Sequence, residues 1–199
     1  MNYKQLLTIT IVAAIFAVSC KNDTSEKVAD TPPAKEVKKA EVPKRELTPE
    51  QKDKVNSLWA KLSMRPDTKN FIRLMTSAEI ADTLLVPSSK FTIFAPTNES
   101  FSVFTEKINI TNNPAQKEAL ATLLKNHMVA GNVTSSSMVQ TIKEKGKMEL
   151  TTITGQKLTA TMDGDAIILT NKAGTKATVK KSDITASNGV LHVIDVVLQ

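Results

Sequence analysis

The first half of the chain carries apolar residues at helical spacing. Thr48-Pro49-Glu50-Gln51 has the pattern of a helix start, with a capping threonine, a proline at the first helical position and a glutamine three residues after the cap. The apolar residues that follow fall on one helical face up to about residue 62. A second helical stretch covers about Asp67 to Leu85 and has a break near Thr76-Ser77. The residues that the two stretches turn inward are predicted to be Val55, Leu58, Trp59, Leu62, Phe71, Leu74, Met75, Ile80 and Leu84.

Strand and helix signals alternate in the middle of the chain. Phe91 to Ala95 is rich in β-forming residues and stops at Pro96, after which Thr97 can cap a helix through Phe104. The other elements predicted here are a helix that opens at Asn113-Pro114, a strand at 127–130 and a helix at about 135–142.

The pattern changes to a period of two from Lys147 onward. Residues 158–162 and 166–169 alternate on either side of Asp163-Gly164, a favoured turn dipeptide, which predicts a hairpin. Because helices come first and strands later, the pattern predicts an α+β domain. The last strands are predicted at Thr178-Val179 and from Val190 to Leu198.

The amino terminus has the layout of an export signal. Lys4 precedes an uncharged apolar run at Leu6–Phe16, which is too short to span a bilayer comfortably as a helix. Cys20 is the only cysteine, so an intramolecular disulfide is impossible, and its place after small residues resembles the lipobox of bacterial lipoproteins. We expect a signal peptide at 1–19 and acyl chains on Cys20 that hold the protein on a membrane. The alternative is an ordinary signal with an incidental free thiol.

Residues 20–47 are expected to form a flexible tether. The segment 21–50 holds four prolines, no aromatic residue, almost no large aliphatic residue, and seven basic against seven acidic side chains. Such a segment buries too little apolar surface to offset the entropy of ordering. The rest of the chain, 48–199, is about one domain in length, and we expect it to be a single monomeric domain.

The charge of the chain is mildly basic. The net charge is +6 at pH 7, and residues 51–199 hold 18 basic and 13 acidic side chains. This balance is compatible with attraction to acidic polysaccharide or to a membrane surface. A nucleic-acid site needs clustered arginines with stacking aromatic residues, and here the lysines are spread out and both other residue types are rare. We therefore expect no nucleic-acid partner.

Three segments resemble the signatures of fasciclin domains. Phe91–Phe101 reads FTIFAPTNESF and resembles the first signature of that family. Leu123–Gly131 is similar to its central Tyr-His segment, with Asn126 where the family often has an aromatic residue. Ser182–Leu198 resembles its closing signature, an Asn-Gly pair followed by an apolar strand that contains one histidine. The three lie in family order and cover about residues 55–199.

The resemblance implies a fasciclin-like domain in which N-terminal helices pack on a β-sheet wedge formed mainly by the C-terminal half. Its motif residues have structural explanations. Ala95-Pro96-Thr97 ends a strand, fixes a turn and caps the next helix, while Asn188-Gly189 supplies backbone angles that other residues resist. The two histidines are interpreted as buried rings with internal partners, not as ligands or catalysts. The structural motif comprises Phe94, Ala95, Pro96, Thr97, Phe101, His127, Asn188, Gly189 and His192.

The sequence lacks the common catalytic and metal-binding motifs. There is no Gly-x-Ser-x-Gly elbow, no His-Glu-x-x-His and no glycine loop that would cradle a phosphate. The acidic residues of the domain are scattered, and two histidines in separate strands make a poor zinc site. We therefore expect no enzymatic activity, no cofactor and no metal ion.

A lysine-rich region is the candidate contact for an acidic glycan. The alternative interpretation is that these lysines form an ordinary solvated face. The candidates are Lys172, Lys176, Lys180 and Lys181, together with Lys143, Lys145 and Lys147.

The resemblance implies a non-catalytic binding module that adheres to extracellular polysaccharide, to matrix or to another protein. We expect it to be anchored through Cys20 in a bacterial outer membrane and exposed at the cell surface, because Lys21–Glu26 resembles a surface-export tag. The alternative is a lipoprotein that faces the periplasm and scaffolds or assists another envelope component.

Overall fold

Helices occupy the first part of the folded region and strands occupy the last part. The computed structural model describes residues 47–85, 89–107 and 114–199, so the signal peptide, Cys20 and nearly all of the tether lie outside the described residues. The α+β class predicted from the pattern is confirmed. The helices are α1 (Pro49–Val55), α2 (Leu58–Ser63), α3 (Lys69–Ser77), α4 (Asn98–Lys107), α5 (Pro114–Lys125) and α6 (Ser135–Lys145), with 3₁₀ turns at Pro66–Thr68 and Ala81–Leu84.

Within the described residues, seven strands form one sheet in the order β2-β1-β7-β6-β5-β4-β3. Strand β1 runs parallel to β7, and every other neighbouring pair is antiparallel. The two edges of the sheet meet, since Val129 pairs with Thr152 and the N–H of Ile153 donates to the carbonyl oxygen of Met128 at 2.8 Å. The strands are β1 (Phe91–Pro96), β2 (Met128–Ala130), β3 (Met148–Thr151), β4 (Lys157–Asp163), β5 (Ala166–Asn171), β6 (Lys176–Ala186) and β7 (Gly189–Ile194).

The first predicted helical stretch consists of two short helices. Ser57 has an extended backbone, and its hydroxyl accepts a hydrogen bond from the N–H of Ala60 at 3.2 Å, which starts a new helix. Val55 therefore leaves the inward face and is 44% exposed, whereas Leu58 and Leu62 are fully buried. The capping box predicted at the start of α1 is present.

The last two strands differ from their predicted lengths. Strand β6 has 11 residues and contains two register shifts, between Val179 and Lys181 and between Lys181 and Ile184. Its first part pairs with β5 and its later part with β7, so one strand joins the two halves of the sheet. Strand β7 ends at Ile194, and at the next residue the carboxylate of Asp195, in place of a backbone carbonyl, accepts from the N–H of Thr178 at 2.7 Å.

Two apolar clusters lie against opposite faces of the sheet. Along β1, Ile93 and Ala95 belong to the cluster that the N-terminal helices cover, while Phe94 between them belongs to the other cluster. Successive side chains of a strand point to opposite faces, which explains this division. Helix α6 covers the second cluster through Met138 and Ile142. Strand β1 is therefore buried on both faces.

Candidate functional site

The turn after β1 is held by hydrogen bonds from Thr97 and Asn98. Thr97 donates its N–H to the carbonyl oxygen of Ile194 at 2.9 Å, and its hydroxyl accepts from the N–H of Ser100 at 3.4 Å. The side chain of Asn98 accepts from the N–H of Asn70 at 2.9 Å and donates to the carbonyl oxygen of Pro66 at 2.7 Å. The turn thus joins the start of α4 both to β7 and to α3.

Asn188 links three separate parts of the domain. Its side-chain oxygen accepts from the N–H of Leu58 at 2.7 Å, and its amide nitrogen donates to the carbonyl oxygen of Leu84 at 2.7 Å. Its own carbonyl oxygen accepts from the N–H of Phe91 at 3.2 Å. The residue is 2% exposed. Its polar atoms therefore serve the fold and are not available to an external partner.

His127 is fully buried and uses both ring nitrogens. Its Nδ1 lies 2.9 Å from the carbonyl oxygen of Leu123, and its Nε2 accepts from the N–H of Leu198 at 2.9 Å. These partners require a neutral ring with the proton on Nδ1. Burial lowers the pKa of His127 to about 4, against a smaller raising effect of the hydrogen bond to Leu123. The ring fixes the end of the chain after β7 to the end of α5.

His192 is the corresponding buried ring on the other side of the sheet. Its Nε2 lies 2.8 Å from the carbonyl oxygen of Val133, and Nδ1 accepts from the backbone N–H of Asp183 at 3.4 Å. The ring stacks on Phe94 with a centroid distance of 5.3 Å. Burial lowers the pKa of His192, although the Val133 carbonyl and the Asp183 carboxylate act in the opposite direction.

Ser135, Asp183 and His192 lie close together, but they do not form a catalytic triad. The Asp183 carboxylate accepts from the N–H of Ser135 at 2.8 Å and also from its hydroxyl. The histidine contacts the backbone of Asp183 and not the serine hydroxyl, so the serine–histidine hydrogen bond of a triad is missing. Burial alone would raise the pKa of Asp183. The hydrogen bonds from Ser135 and Ser182 and the electrostatic interaction with His192 together outweigh burial and lower the pKa. The arrangement caps the N-terminus of α6.

Among the described residues, no group of three or more His, Cys, Asp or Glu side chains lies close enough to hold a metal ion. Nor does any helix within the described ranges have the length and apolar character needed to cross a membrane.

The structure divides the four candidate glycan-contact lysines into two pairs. Lys180 forms an ion pair with Asp195 at 3.2 Å, and Lys181 forms one with Asp67 at 2.8 Å. Lys172 and Lys176 are exposed and have no acidic partner within the part of the chain that the structure describes. The other candidates lie elsewhere: Lys143 and Lys145 are in the last turn of α6, and Lys147 pairs with Glu149 at 3.0 Å.

A surface groove lies beside Lys172, and most of its lining residues were not among the candidate contacts predicted from the sequence. The groove has a volume of about 790 Å³. The hairpin predicted from the sequence could have identified Lys157 as a neighbour of Lys172. Leu158 pairs with Asn171, so Lys157 lies opposite Lys172 at the open end of the hairpin. The groove is lined by Gly155, Gln156, Lys157, Thr159, Asn171, Lys172, Ala173 and Gln199.

Comparison with known proteins decides the family. The fasciclin domain family model matches residues 66–199 of this chain. The chain belongs to the fasciclin domain family. A relative from Synechocystis sp., protein sll1483, is 32% identical over 133 residues, which cover 65% of this chain and 67% of the relative. The transforming growth factor-beta-induced protein ig-h3 of Oryctolagus cuniculus is 31% identical over 134 residues, 66% of this chain and 18% of that protein.

A solved structure supports the same fold. The FAS1 domain pair of the insect cell adhesion molecule fasciclin I aligns with a TM-score of 0.59 at 19% identity, covering 72% of this chain and 51% of that chain. The fasciclin-like fold expected from the three sequence segments is therefore confirmed. This chain matches less than a fifth of ig-h3 and about half of the fasciclin I pair.

Asn126, a signature position that departs from the fasciclin pattern, also has a structural role. Asn126 replaces a frequent aromatic residue of the central segment and is 6% exposed. Its side-chain oxygen accepts a hydrogen bond from the hydroxyl of Thr154 at 2.5 Å. This contact joins the end of α5 to the turn after β3, so the amide has a partner inside the domain.

Proposed function

We propose that this chain is a non-catalytic adhesion module that is held on a bacterial outer membrane by acyl chains on Cys20 and exposed at the cell surface. Its partner is extracellular polysaccharide, matrix or another protein. The observation that carries the proposal is the fasciclin match over residues 66–199, since a fasciclin domain pair occurs in an insect cell adhesion molecule.

The chemistry of the segments that resemble fasciclin signatures supports recognition by the surface of the domain. The polar atoms of Asn188, His127 and His192 are bonded to the protein itself, which leaves them without the free donors and acceptors of a reactive centre. A domain of this kind acts through exposed side chains. Lys172, Lys176, Lys180 and Lys181 are the proposed contacts for an acidic glycan.

The proposed anchor and tether would strengthen weak contacts. Many copies attached to one surface through Cys20 bind a repetitive partner together, and residues 20–47 give each domain reach. Avidity of this kind raises the overall affinity without any new contact. A modest affinity of each single domain is therefore sufficient for adhesion.

A cell-attachment assay tests the proposal. Cells that carry the chain, cells from which it is deleted and cells that carry Cys20→Ser are compared for retention on immobilised acidic polysaccharide and on matrix protein. We expect retention only with the native chain, because the serine variant cannot be acylated. Equal retention of all three cell types on every surface would reject the adhesion function.

A further inference from the structure

The sheet formed by β3, β4, β5 and β6 has one face that the described helices do not cover. Side chains that face the apolar cluster, such as Leu158 and Leu169, are buried. Those that alternate with them point away from the cluster. One row across the four strands, fixed by the strand register, is Glu149, Thr159, Thr170 and Lys176. This outer face thus presents hydroxyl groups and charged side chains.

The groove of about 790 Å³ lies at one end of this face. Lys157 lines it from β4 and Lys172 from the turn after β5, together with Gln156 and Thr159. The side chain of Lys157 is 73% exposed and forms a long ion pair with Glu149, at 3.6 Å. Lys172 has no acidic partner among the described residues. The Lys172 ammonium group is therefore available to an anion from outside, and the exposed Lys157 ammonium group can contact the same anion because its ion pair is long and exposed to solvent.

We propose that this groove binds an acidic polysaccharide, with sugar carboxylates or sulfates on Lys157 and Lys172 and sugar hydroxyls on Gln156 and Thr159. Lys176 continues the contact on the outer face, at about 10 Å from Thr159, which is two strand spacings. This inference rests on the proposed adhesion function and names the binding surface and its partner. It replaces Lys180 and Lys181 as the main contacts, because their ion pairs are shorter, at 3.2 and 2.8 Å.

The composition around the groove favours an acidic polysaccharide over nucleic acid, a neutral sugar or a membrane surface. Residues 130–199 contain no aromatic residue and no arginine, and both are typical of sites that bind nucleic acid. A neutral sugar would also lack an aromatic ring to stack on, so charge must supply the affinity. The large apolar side chains exposed among the described residues all precede residue 104, so the groove lacks the apolar contacts that a membrane surface requires.

Binding of defined polymers to the purified full chain in neutral detergent tests the inference. The probes are labelled polygalacturonate and heparin, with dextran as the neutral polymer and polyglutamate of similar charge as a non-carbohydrate anion. Lys157→Gln/Lys172→Gln removes both groove lysines. Lys52→Gln/Lys54→Gln, in α1, removes the same charge elsewhere and serves as the matched control. All four lysines are exposed, so neither variant disturbs the core.

We expect polygalacturonate or heparin to bind the native chain, and the groove variant to bind about tenfold more weakly at low salt. The control variant should stay within about twofold of the native chain, and dextran should not bind. Binding of polygalacturonate, which has no sulfate, would show that carboxylates are sufficient, whereas binding of heparin alone would show that sulfates are required. Equal weakening in both variants, equal binding of polyglutamate, or no binding of either acidic polymer would overturn the inference.

The cell-attachment assay separates this inference from the proposed function. If cells with Lys157→Gln/Lys172→Gln attach as well as native cells while deletion cells do not, adhesion stands and the groove is not its contact. If native and deletion cells attach equally, the adhesion function itself has failed. We expect the groove variant to lose attachment to the acidic polysaccharide alone.

Discussion

At the scale of single residues, Gly189 shows why the closing signature needs a glycine. It begins β7 directly beside Phe91, the first residue of β1. A Cβ atom at this position would lie 1.9 Å from the carbonyl oxygen of Phe91 and 2.6 Å from Cδ1 of Leu58. The backbone oxygen belongs to the parallel strand pair and cannot move away alone. The close approach of the β7 backbone to the β1 backbone therefore excludes any side chain at position 189.

We predict that Gly189→Ala lowers the free energy of unfolding by about 3 kcal/mol, because the strands must separate to admit the methyl group. Chemical denaturation of both proteins measures the change. Gly174→Ala is the matched control, since Gly174 also has a positive φ (82°) but open space where the Cβ would lie. The control should lose only about 1 kcal/mol. Equal losses would show that the close approach to Phe91 carries no cost.

His127 makes stability depend on pH. The pKa of its ring is about 4 in the folded protein and near 6.5 in the unfolded chain, so the unfolded chain binds the proton more readily. Stability from this ring is complete above about pH 6.5 and is lost as the pH falls toward 4. The expected loss is about 3 kcal/mol over that interval.

Ring NMR across this pH range measures the prediction. The chain has two histidines, so His192→Gln leaves the ring of His127 as the only imidazole signal. We expect the ring to remain neutral, with its proton on Nδ1, down to about pH 5. A protonation midpoint near 6.5 in the folded protein would contradict the buried, doubly bonded ring described above.

At the scale of secondary structure elements, the sequence predicted the kinds of element better than their ends. The hairpin of β4 and β5 and the start of α5 at Pro114 were readable because turn and proline chemistry is local. The break at Ser57 was missed, since the apolar spacing continues through it and only the serine cap marks it. The length of β6 was missed because many of its side chains are exposed and polar, and its pairing is set by β5 and β7.

Asp183 connects two elements and gives a further prediction. It lies in β6 with a φ of 57°, and its carboxylate caps the first residue of α6. Asp183→Ala should lower the free energy of unfolding by about 2 kcal/mol, through loss of the cap and through strain of alanine at positive φ. Asp183→Asn should lose less, because asparagine tolerates this backbone and can still accept the hydrogen bond.

Urea denaturation of the native chain and the two Asp183 variants provides the test. The ranking native, asparagine, alanine is the expected order of stability. If alanine is as stable as the native chain, the contact between β6 and α6 does not contribute to folding.

At the scale of the whole molecule, the motif residues were easier to predict than the candidate contact surface. Asn188 and Gly189 were identifiable because a turn limits which residues can stand there. Lys172 could not be separated from Lys180 and Lys181 in the sequence, since folding alone brings Asp195 to Lys180 and Asp67 to Lys181. Lys157 was overlooked because it lies in a different strand from the lysine-rich run.

The proposed anchor gives a prediction for the whole chain. Cys20→Ser should abolish labelling by a radioactive or clickable fatty acid and should move the protein out of the membrane fraction. Fractionation of cells that make either form measures the effect, with a known integral membrane protein as the control for recovery. Unchanged membrane association of the serine variant would reject acylation of Cys20 as the means of attachment.

The most direct test of the central claim is protease accessibility of the domain on intact cells, with a periplasmic protein as the control for lysis. We predict that added protease removes the domain while the periplasmic control remains intact, as surface exposure requires. Protection of the domain until the outer membrane is opened would contradict surface adhesion and would favour a lipoprotein that faces the periplasm and assists another envelope component.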